Sequence, residues 1–400
     1  MRVALAFSGG LDTSFVLAKL SESHEVYTVT VDVGGYSSRE LSKIEEKAYA
    51  LGAKEHYTAE AKSRLWEMAS KALAMNALYQ GVYPLCCPID RLIIAEETVK
   101  VAREVGAEAV AHGCTAAGND IVRLTSAFKA LAPDLKVLAP VAELSTTRAE
   151  EAEYLEKKGF PPPPVSRRFS TTRNLWGCTV YSPEMSSPSY KIPLEEWLEA
   201  CCWVKPVEQA PSHPEEVEVE FERGAPVSLD GSALSGPELL ESLNTKCGSH
   251  GFGLAEYTGD CIIGIKGRVG IEAPAAYALI AAHRALESIV LTRRELSFKT
   301  RLEEEWTNLV FSGLYHEPLL KALEAAAQEM QRKVTGSATI QLYKGCCRVV
   351  ALDSPYQLTA LGYRYGEKSM FTSQQVIGFT EVFTYQSTTA HLVQEHAHSR

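Results

Sequence analysis

Apolar positions follow two rhythms along this chain. Val3-Ala4-Leu5-Ala6-Phe7 is an unbroken apolar run of strand length, stopped by Gly9-Gly10, and positions 11–20 then continue without Gly or Pro as a predicted helix. Positions 26–32 read as a second strand ended by Gly34-Gly35. Leu41, Ile44, Ala48 and Leu51 mark one face of a helix that Gly52 closes where a left-handed cap is expected. The pattern continues with a helix over 61–79, a segment rich in breakers over 81–88, and a helix over 89–105 ended by Gly106. A buried strand over 109–112, a strand over 136–140 and a helix over 147–158 follow. Strands and helices alternating at this spacing predict an α/β fold with a doubly wound, mainly parallel sheet, whose ligands sit at the carboxyl ends of the strands.

Pro161-Pro162-Pro163-Pro164 cannot continue a helix or a central strand, so an extended linker and a domain boundary are expected there. The stretch 165–214 reads as irregular and polar, with Ser170, Thr171, Thr172, Asn174 and Thr179 clustered. The rhythm then changes to period two: Val217, Val219 and Phe221, then Val227 and Leu229 before Asp230-Gly231, predict a hairpin with these residues on one face. A short helix over 238–243, a strand over 262–265, an Ala-rich helix over 276–287 and a hairpin around Lys344-Gly345 make the second domain mixed α+β. The tail from Gln374 has an amphipathic part, and His396 and His398 read as solvated rather than as metal ligands. The expected division is 1–164, 165–355 and a tail over 356–400.

Composition narrows the function. With 46% apolar residues in 400, a sizeable core is available, whereas a net charge of −10 and the lack of a basic block argue against a nucleic-acid partner. No apolar run reaches membrane-spanning length and no secretory leader is evident, so a cytoplasmic protein is expected. The ten cysteines fall as neighbours (Cys86-Cys87, Cys201-Cys202, Cys346-Cys347) or singly, without Cys-x-x-Cys pairs, which points to reduced thiols and no structural metal.

The stretch Ser8-Gly9-Gly10-Leu11-Asp12-Thr13-Ser14 is a strand-to-helix loop suited to phosphate. Glycines permit close backbone approach, the free N–H groups of the first helical turn point at an anion, and hydroxyls add donors. It is neither a Walker loop nor a Gly-x-Gly-x-x-Gly fingerprint. A second small-residue loop, Gly113-Cys114-Thr115-Ala116-Ala117-Gly118-Asn119-Asp120, follows the strand over 109–112, as a two-sided nucleotide site requires.

Ser-Gly-Gly-x-Asp-Thr after a first strand resembles the pyrophosphatase loop of enzymes that split ATP into AMP and pyrophosphate, and with Leu11 and Ser14 it resembles the argininosuccinate synthases. His112-Gly113-Cys114-Thr115 with Gly118-Asn119-Asp120 and Arg123 resembles that family's second motif. Further matches run in family order through Asn174-Leu175-Trp176-Gly177, His250-Gly251-Phe252-Gly253 and Leu342-Tyr343-Lys344-Gly345, spanning nearly the whole chain. The resemblance implies an ATP-dependent C–N ligase: the ureido oxygen of citrulline attacks the α-phosphate, pyrophosphate leaves, and the aspartate amine displaces AMP. ATP and Mg²⁺ are implied, the ion held mainly by phosphate oxygens, as is a homotetramer exchanging C-terminal tails.

By this resemblance Ala6, Phe7, Ser8, Gly9, Gly10, Leu11, Asp12, Thr13 and Ser14 bind ATP, Val31 borders the adenine and Gly113 contacts the nucleotide. Thr115, Asn119 and Asp120 match residues that hold aspartate, with Arg91 and Cys87 beside them. Asp120 and Asp12 are the candidate catalytic carboxylates. Tyr83, Asn119, Arg123, Ser170, Thr179, Tyr181, Gly259 and Ile271 fall on acceptor-site positions, where Arg123 can grip a carboxylate bidentately.

Departures from the family pattern are concentrated. Cys86-Cys87-Pro88 stands for Gly-Thr-Ser, Ala116 and Ala117 for the glycine and lysine of the second loop, and Thr179-Val180-Tyr181 for Ser-x-Glu. The acceptor-site glutamate falls on Gly259 and a tyrosine of that pocket on Ile271. These changes predict a rebuilt, more apolar acceptor pocket and a different ureido or carbonyl acceptor, unless Glu256, Asp260 or Glu272 supplies the missing carboxylate. Two other readings are a sulfur-transferring tRNA enzyme of the same loop type and a non-catalytic nucleotide-binding paralogue.

Overall fold

Alternate residues of the first strand face opposite cores. In β1 (Arg2–Ala6), Val3 and Leu5 join Phe7 in one cluster, while Ala4 and Ala6 join another. A strand buried on both sides must sit inside a two-faced sheet. The computed structural model describes residues 1–160, 169–358, 366 and 370–398. Residues 1–356 make one unit and 357–400 a second.

β1 is the middle of five parallel strands with β2 (Glu25–Asp32), β3 (Glu55–Glu60), β4 (Ala109–Ala111) and β5 (Lys136–Leu138), in the order β3-β2-β1-β4-β5. The order reverses between β1 and β4, so the loops after these two strands open beside each other at a crevice. Helices α1 (Leu11–Leu20), α2 (Ser38–Ala50), α3 (Lys62–Ala74), α4 (Cys86–Glu104) and α5 (Asp120–Leu131) connect the strands, with α6 (Pro140–Leu144) and α7 (Arg148–Lys157) after β5. The α/β expectation and the helix over 11–20 agree with this.

Two antiparallel sheets follow. One joins β6 (Ser170–Asn174), β7 (Gly177–Tyr181), β11 (Leu254–Asp260) and β12 (Lys266–Glu272) in the order β11-β12-β7-β6. The other joins β8 (Glu215–Glu222), β9 (Ala225–Leu229), β10 (Ser232–Ala233), β13 (Gly336–Tyr343) and β14 (Cys346–Asp353) in the order β10-β9-β8-β13-β14. The helices are α8 (Leu194–Ala200), α9 (Gly236–Ser249), α10 (Pro274–Val290), α11 (Arg293–Phe311) and α12 (Pro318–Gln331), and the second unit holds α13 (Ser373–His398).

Several boundaries differ from expectation for local reasons. α3 ends at Ala74, not 79, because Asn76 takes φ 41° and its amide donates to the carboxylates of Glu287 and Glu303. α4 starts at Cys86, with Pro88 in the first turn, where a missing N–H costs nothing. β3 was not expected, since its buried–exposed alternation is weak. β6 and β7 occupy part of the stretch expected to be irregular. Residues 262–265 form the turn between β11 and β12, closed by the Cys261 N–H to the Ile265 carbonyl at 2.7 Å, rather than a strand. α9 is longer than the helix expected over 238–243. Val227 points away from Val217, Val219 and Phe221 and is exposed. The proline run at 161–164, with the boundary expected there, lies outside the described residues.

Candidate active site at the crevice between β1 and β4

The first loop leaves its amides free. Gly10 caps α1 with no side-chain hydrogen bond, so the first-turn N–H groups face outward at the positive end of the helix dipole. Gly9 takes φ 71°, and a Cβ there would stand 3.0 Å from Ile44 Cγ1. Ser8 and Thr13 hydroxyls lie 3.2 Å apart at the mouth, and the Ser14 hydroxyl donates to the Gly10 carbonyl at 2.6 Å. Lys47 of α2 donates its ammonium to the Gly9 carbonyl at 2.7 Å, placing a cation at the loop, and burial lowers its pKa. Ala6, Phe7 and Val31 are buried behind the loop, with Leu11 partly buried.

Asp12 points its Oδ1 inward, buried and without a partner, toward Glu151 of α7, whose Oε2 is equally orphaned. Burial first, and the Asp12 carboxyl second, push the Glu151 pKa up to about 7. Glu151 therefore keeps its proton up to near neutrality.

The second loop meets the first directly. A Cβ on Gly113 would lie 3.0 Å from the Thr13 backbone N and from its Cγ2. His112 sets the loop: its Nδ1 accepts the Cys114 N–H at 3.2 Å, its Nε2 lies 3.0 Å from the Thr125 hydroxyl, and burial drops its pKa to about 4. Its neutral tautomer is thereby defined, with the proton on Nε2.

Beyond the loop, α5 begins with Asp120, clamped between two guanidiniums. Arg91 donates to Oδ2 at 2.8 Å and Arg123 to Oδ1 at 2.9 Å. Burial alone would raise the Asp120 pKa, but Arg91 and Arg123 outweigh it and hold it at about 2. Asp90 takes the other side of Arg91 and accepts from Asn174 at 2.7 Å; its pKa is pushed up to about 6 by burial. Arg123 also donates Nε to the Phe311 carbonyl at 2.9 Å, while its buried Nη2 has no partner.

The side of the crevice beyond the clamp is aromatic. Tyr79 stacks on Phe311 at 3.6 Å between centroids, and Tyr83 and Tyr257 lie 6.0 Å apart beside them. The Tyr83 hydroxyl accepts the Cys87 N–H at 3.0 Å, and the Cys87 sulfur lies 3.0 Å from the Thr179 hydroxyl. Gly259 sits where a Cβ would meet Gln80 Oε1 at 2.2 Å and the Tyr257 hydroxyl at 2.4 Å, so those groups fill the space of its absent side chain. Gln80 donates to Asp260 at 2.9 Å, and Asn119 accepts the Ile262 N–H at 2.8 Å, tying the β11–β12 turn to the second loop.

The site residues named from the sequence are brought together unequally. The first loop, Gly113, Asn119, Asp120, Arg91, Arg123, Tyr83, Cys87 and Thr179 converge through the contacts above. Ile271 is wholly buried in the main core and pairs with Thr179 through backbone. Ser170 and Tyr181 pair at the far, exposed end of the β6–β7 hairpin, where Tyr181 bonds Ser186. Of the substitute carboxylates, Glu272 accepts three amides, from Cys202, Trp203 and Val204 at 2.7–2.8 Å, and Glu256 pairs with Arg268. Lys47, Glu151, Asp90, Gln80 and Phe311 belong to the site's surroundings without having been singled out.

Two family models cover the chain: an arginosuccinate synthase N-terminal HUP domain over residues 2–161 and an arginosuccinate synthase C-terminal domain over 169–390. Among similar proteins, an argininosuccinate synthase of Hyperthermus butylicus is 41% identical over 396 residues, covering 98% of each chain. That of Pyrobaculum aerophilum is 42% identical over 97% of this chain and 98% of its own. That of Pyrococcus furiosus is 42% identical over 100% of this chain and 96% of its own.

Proposed function

The chain belongs to the argininosuccinate synthase family, and we propose roles for the residues of its site in that family's reaction. The activity is ATP-dependent ligation of citrulline and aspartate, forming a C–N bond, and it places the protein in arginine biosynthesis. Nothing favours sulfur transfer or a non-catalytic paralogue. Burial pushes the Cys114 thiol of the second loop well up, which suits a small filler and not a nucleophile. The expected switch to another acceptor has no support in the relatives.

The observation that carries the roles is the meeting of two loops at the crevice with a buried Arg–Asp–Arg clamp directly beyond them. The free amides of the first loop, Ser8, Thr13 and Lys47 hold the triphosphate with its α-phosphorus turned toward the clamp. Mg²⁺ accompanies ATP. The ion would be held mainly by phosphate oxygens, as the family resemblance implies.

The orphaned Arg123 Nη2 receives the citrulline carboxylate. The ureido oxygen then attacks the α-phosphorus and pyrophosphate leaves, converting a poor leaving group into a phosphate ester. Thr115, Asn119 and Asp120 hold aspartate so that its amine attacks the activated carbon and AMP departs with the bonding pair. Asp120, ionised across the physiological range, orients the amine as a hydrogen-bond acceptor rather than taking its proton. Asp260, with Gln80 and the Tyr257 hydroxyl, takes the acceptor's ammonium in place of the side chain that Gly259 lacks.

The same reading holds the enzyme to be a cytoplasmic homotetramer. Among the described residues no helix is long and apolar enough to cross a membrane. α13 exposes Phe379, Val382, Phe383, Tyr385, Leu392 and Val393, apolar surface suited to exchange between subunits. Following AMP and pyrophosphate release with citrulline and aspartate tests the chemistry, and sedimentation of the full chain against one truncated before α13 tests the assembly.

A further inference from the structure

Three elements bring sulfur and positive charge to one point outside the reaction site. Arg173 and Cys178 are register partners on β6 and β7, so their side chains share one face of the hairpin. Cys202 lies in the segment after α8. Arg173 places its Nη1 3.8 Å from the Cys202 sulfur. Cys178 stands in register between Arg173 and Glu272, the two side chains that touch residue 202, and its thiol lies 3.6 Å from the Thr179 carbonyl. The backbone at Cys202 is fixed, because the Glu272 carboxylate accepts the amides of residues 202, 203 and 204. Cys178 is fully buried, whereas Cys202 is half-buried and reachable by small solutes.

The charges around Cys202 act in opposite directions. The thiol of Cys178 and the guanidinium of Arg173, itself tied to Glu40 of α2, favour a thiolate; burial and the Glu272 carboxylate oppose it. The thiol of Cys178 is the largest influence and Arg173 adds to it, so the balance holds the Cys202 thiol below the ordinary thiol range. All ten cysteines are free thiols. A thiol held beside a guanidinium and near a second thiol is suited to two-electron thiol chemistry.

We propose that Cys202 and Cys178 are a redox-active pair that hydroperoxides oxidise to a disulfide, and that the disulfide lowers ligase activity. The Cys202 thiolate attacks the distal oxygen of ROOH; the O–O bond breaks, RO⁻ leaves as ROH with a proton from solvent, and Cys202 becomes a sulfenic acid. The Cys178 sulfur, giving up its proton, attacks that sulfur; the S–O bond breaks and water leaves. Two thiols lose two electrons, and one hydroperoxide becomes ROH and water. The new bond ties β7 to residue 202 one position before Thr179, whose hydroxyl faces Cys87 beside the Arg91 clamp.

The test treats the full-length enzyme with stoichiometric hydrogen peroxide, alkylates the remaining thiols and maps peptides by mass. The expected result is one 178–202 disulfide, a loss of AMP release that dithiothreitol reverses, and activity that survives peroxide in Cys202→Ser and in Cys178→Ala. Before oxidation Cys202 alkylates about tenfold faster at pH 7 than exposed Cys346. A disulfide elsewhere, over-oxidation of Cys202 without pairing, or a Cys202 rate equal to that of Cys346 overturns the proposal. The mass readout stands whatever the acceptor proves to be.

Discussion

Gly113 lies against Thr13 so closely that a Cβ on it would stand 3.0 Å from the Thr13 backbone N. The two loops thus touch where a nucleotide must bridge them, and the neighbour is backbone, which cannot step aside as a side chain can. Gly113→Ala should keep the fold but part the loops, lowering kcat/KM for ATP about 10–100-fold. Circular dichroism and initial rates of pyrophosphate release check this.

Asp120 offers a second test through its charge. Held at about 2 by Arg91 and Arg123, it has no titration of its own between pH 6 and 9. Asp120→Asn removes an ionised acceptor, leaving Arg123 without a carboxylate and Arg91 with Asp90 alone, so kcat should fall about 100–1000-fold. The wild-type rate should show no inflection from this group in that window, as a pH–rate profile would record.

Asp260 should separate acceptor binding from nucleotide binding. If it meets the citrulline ammonium, Asp260→Asn raises the KM for citrulline about tenfold or more while the KM for ATP stays within about twofold. Glu256→Gln, which removes only an exposed partner of Arg268, should change neither.

The pair formed by Asp12 and Glu151 predicts a pH-dependent stability. Glu151 rises from its ordinary 4.5 to about 7 in the folded protein, so its contribution is fully present below 4.5 and is lost as pH rises through about 7. Glu151→Gln should therefore match the wild type near pH 4.5 and exceed it by about 1–2 kcal/mol at pH 8. Denaturant unfolding at the two pH values measures the difference; an equal loss at both would contradict it.

What was legible in the sequence depended on how local the signal was. The first loop, the first two strands and helices and the hairpin at Lys344-Gly345 follow from periodicity and glycine placement over a few residues. Asp120 and Arg123 are legible through their resemblance to a family motif, and lying three apart on one helix they meet on one face. Lys47 was not legible, because it meets Gly9 only after the chain has folded across 38 residues. Glu151 reads as an ordinary first-turn acid behind the Thr147–Glu150 capping box. β6 and β7 are polar because they are held by pairing and by the Asn174 and Trp176 bonds to the start of α4, contacts without a period. The isoleucines of the β11–β12 turn misled in the opposite sense, since apolar residues in a run need not be a strand.

The most direct test supplies ATP, Mg²⁺, citrulline and aspartate and follows the nucleotide and pyrophosphate together. AMP and pyrophosphate should appear in equal amounts, only when citrulline is present, with argininosuccinate accumulating at the same rate. Production of ADP and inorganic phosphate, or AMP release indifferent to citrulline, would contradict a loop built to hand adenylate to a ureido oxygen.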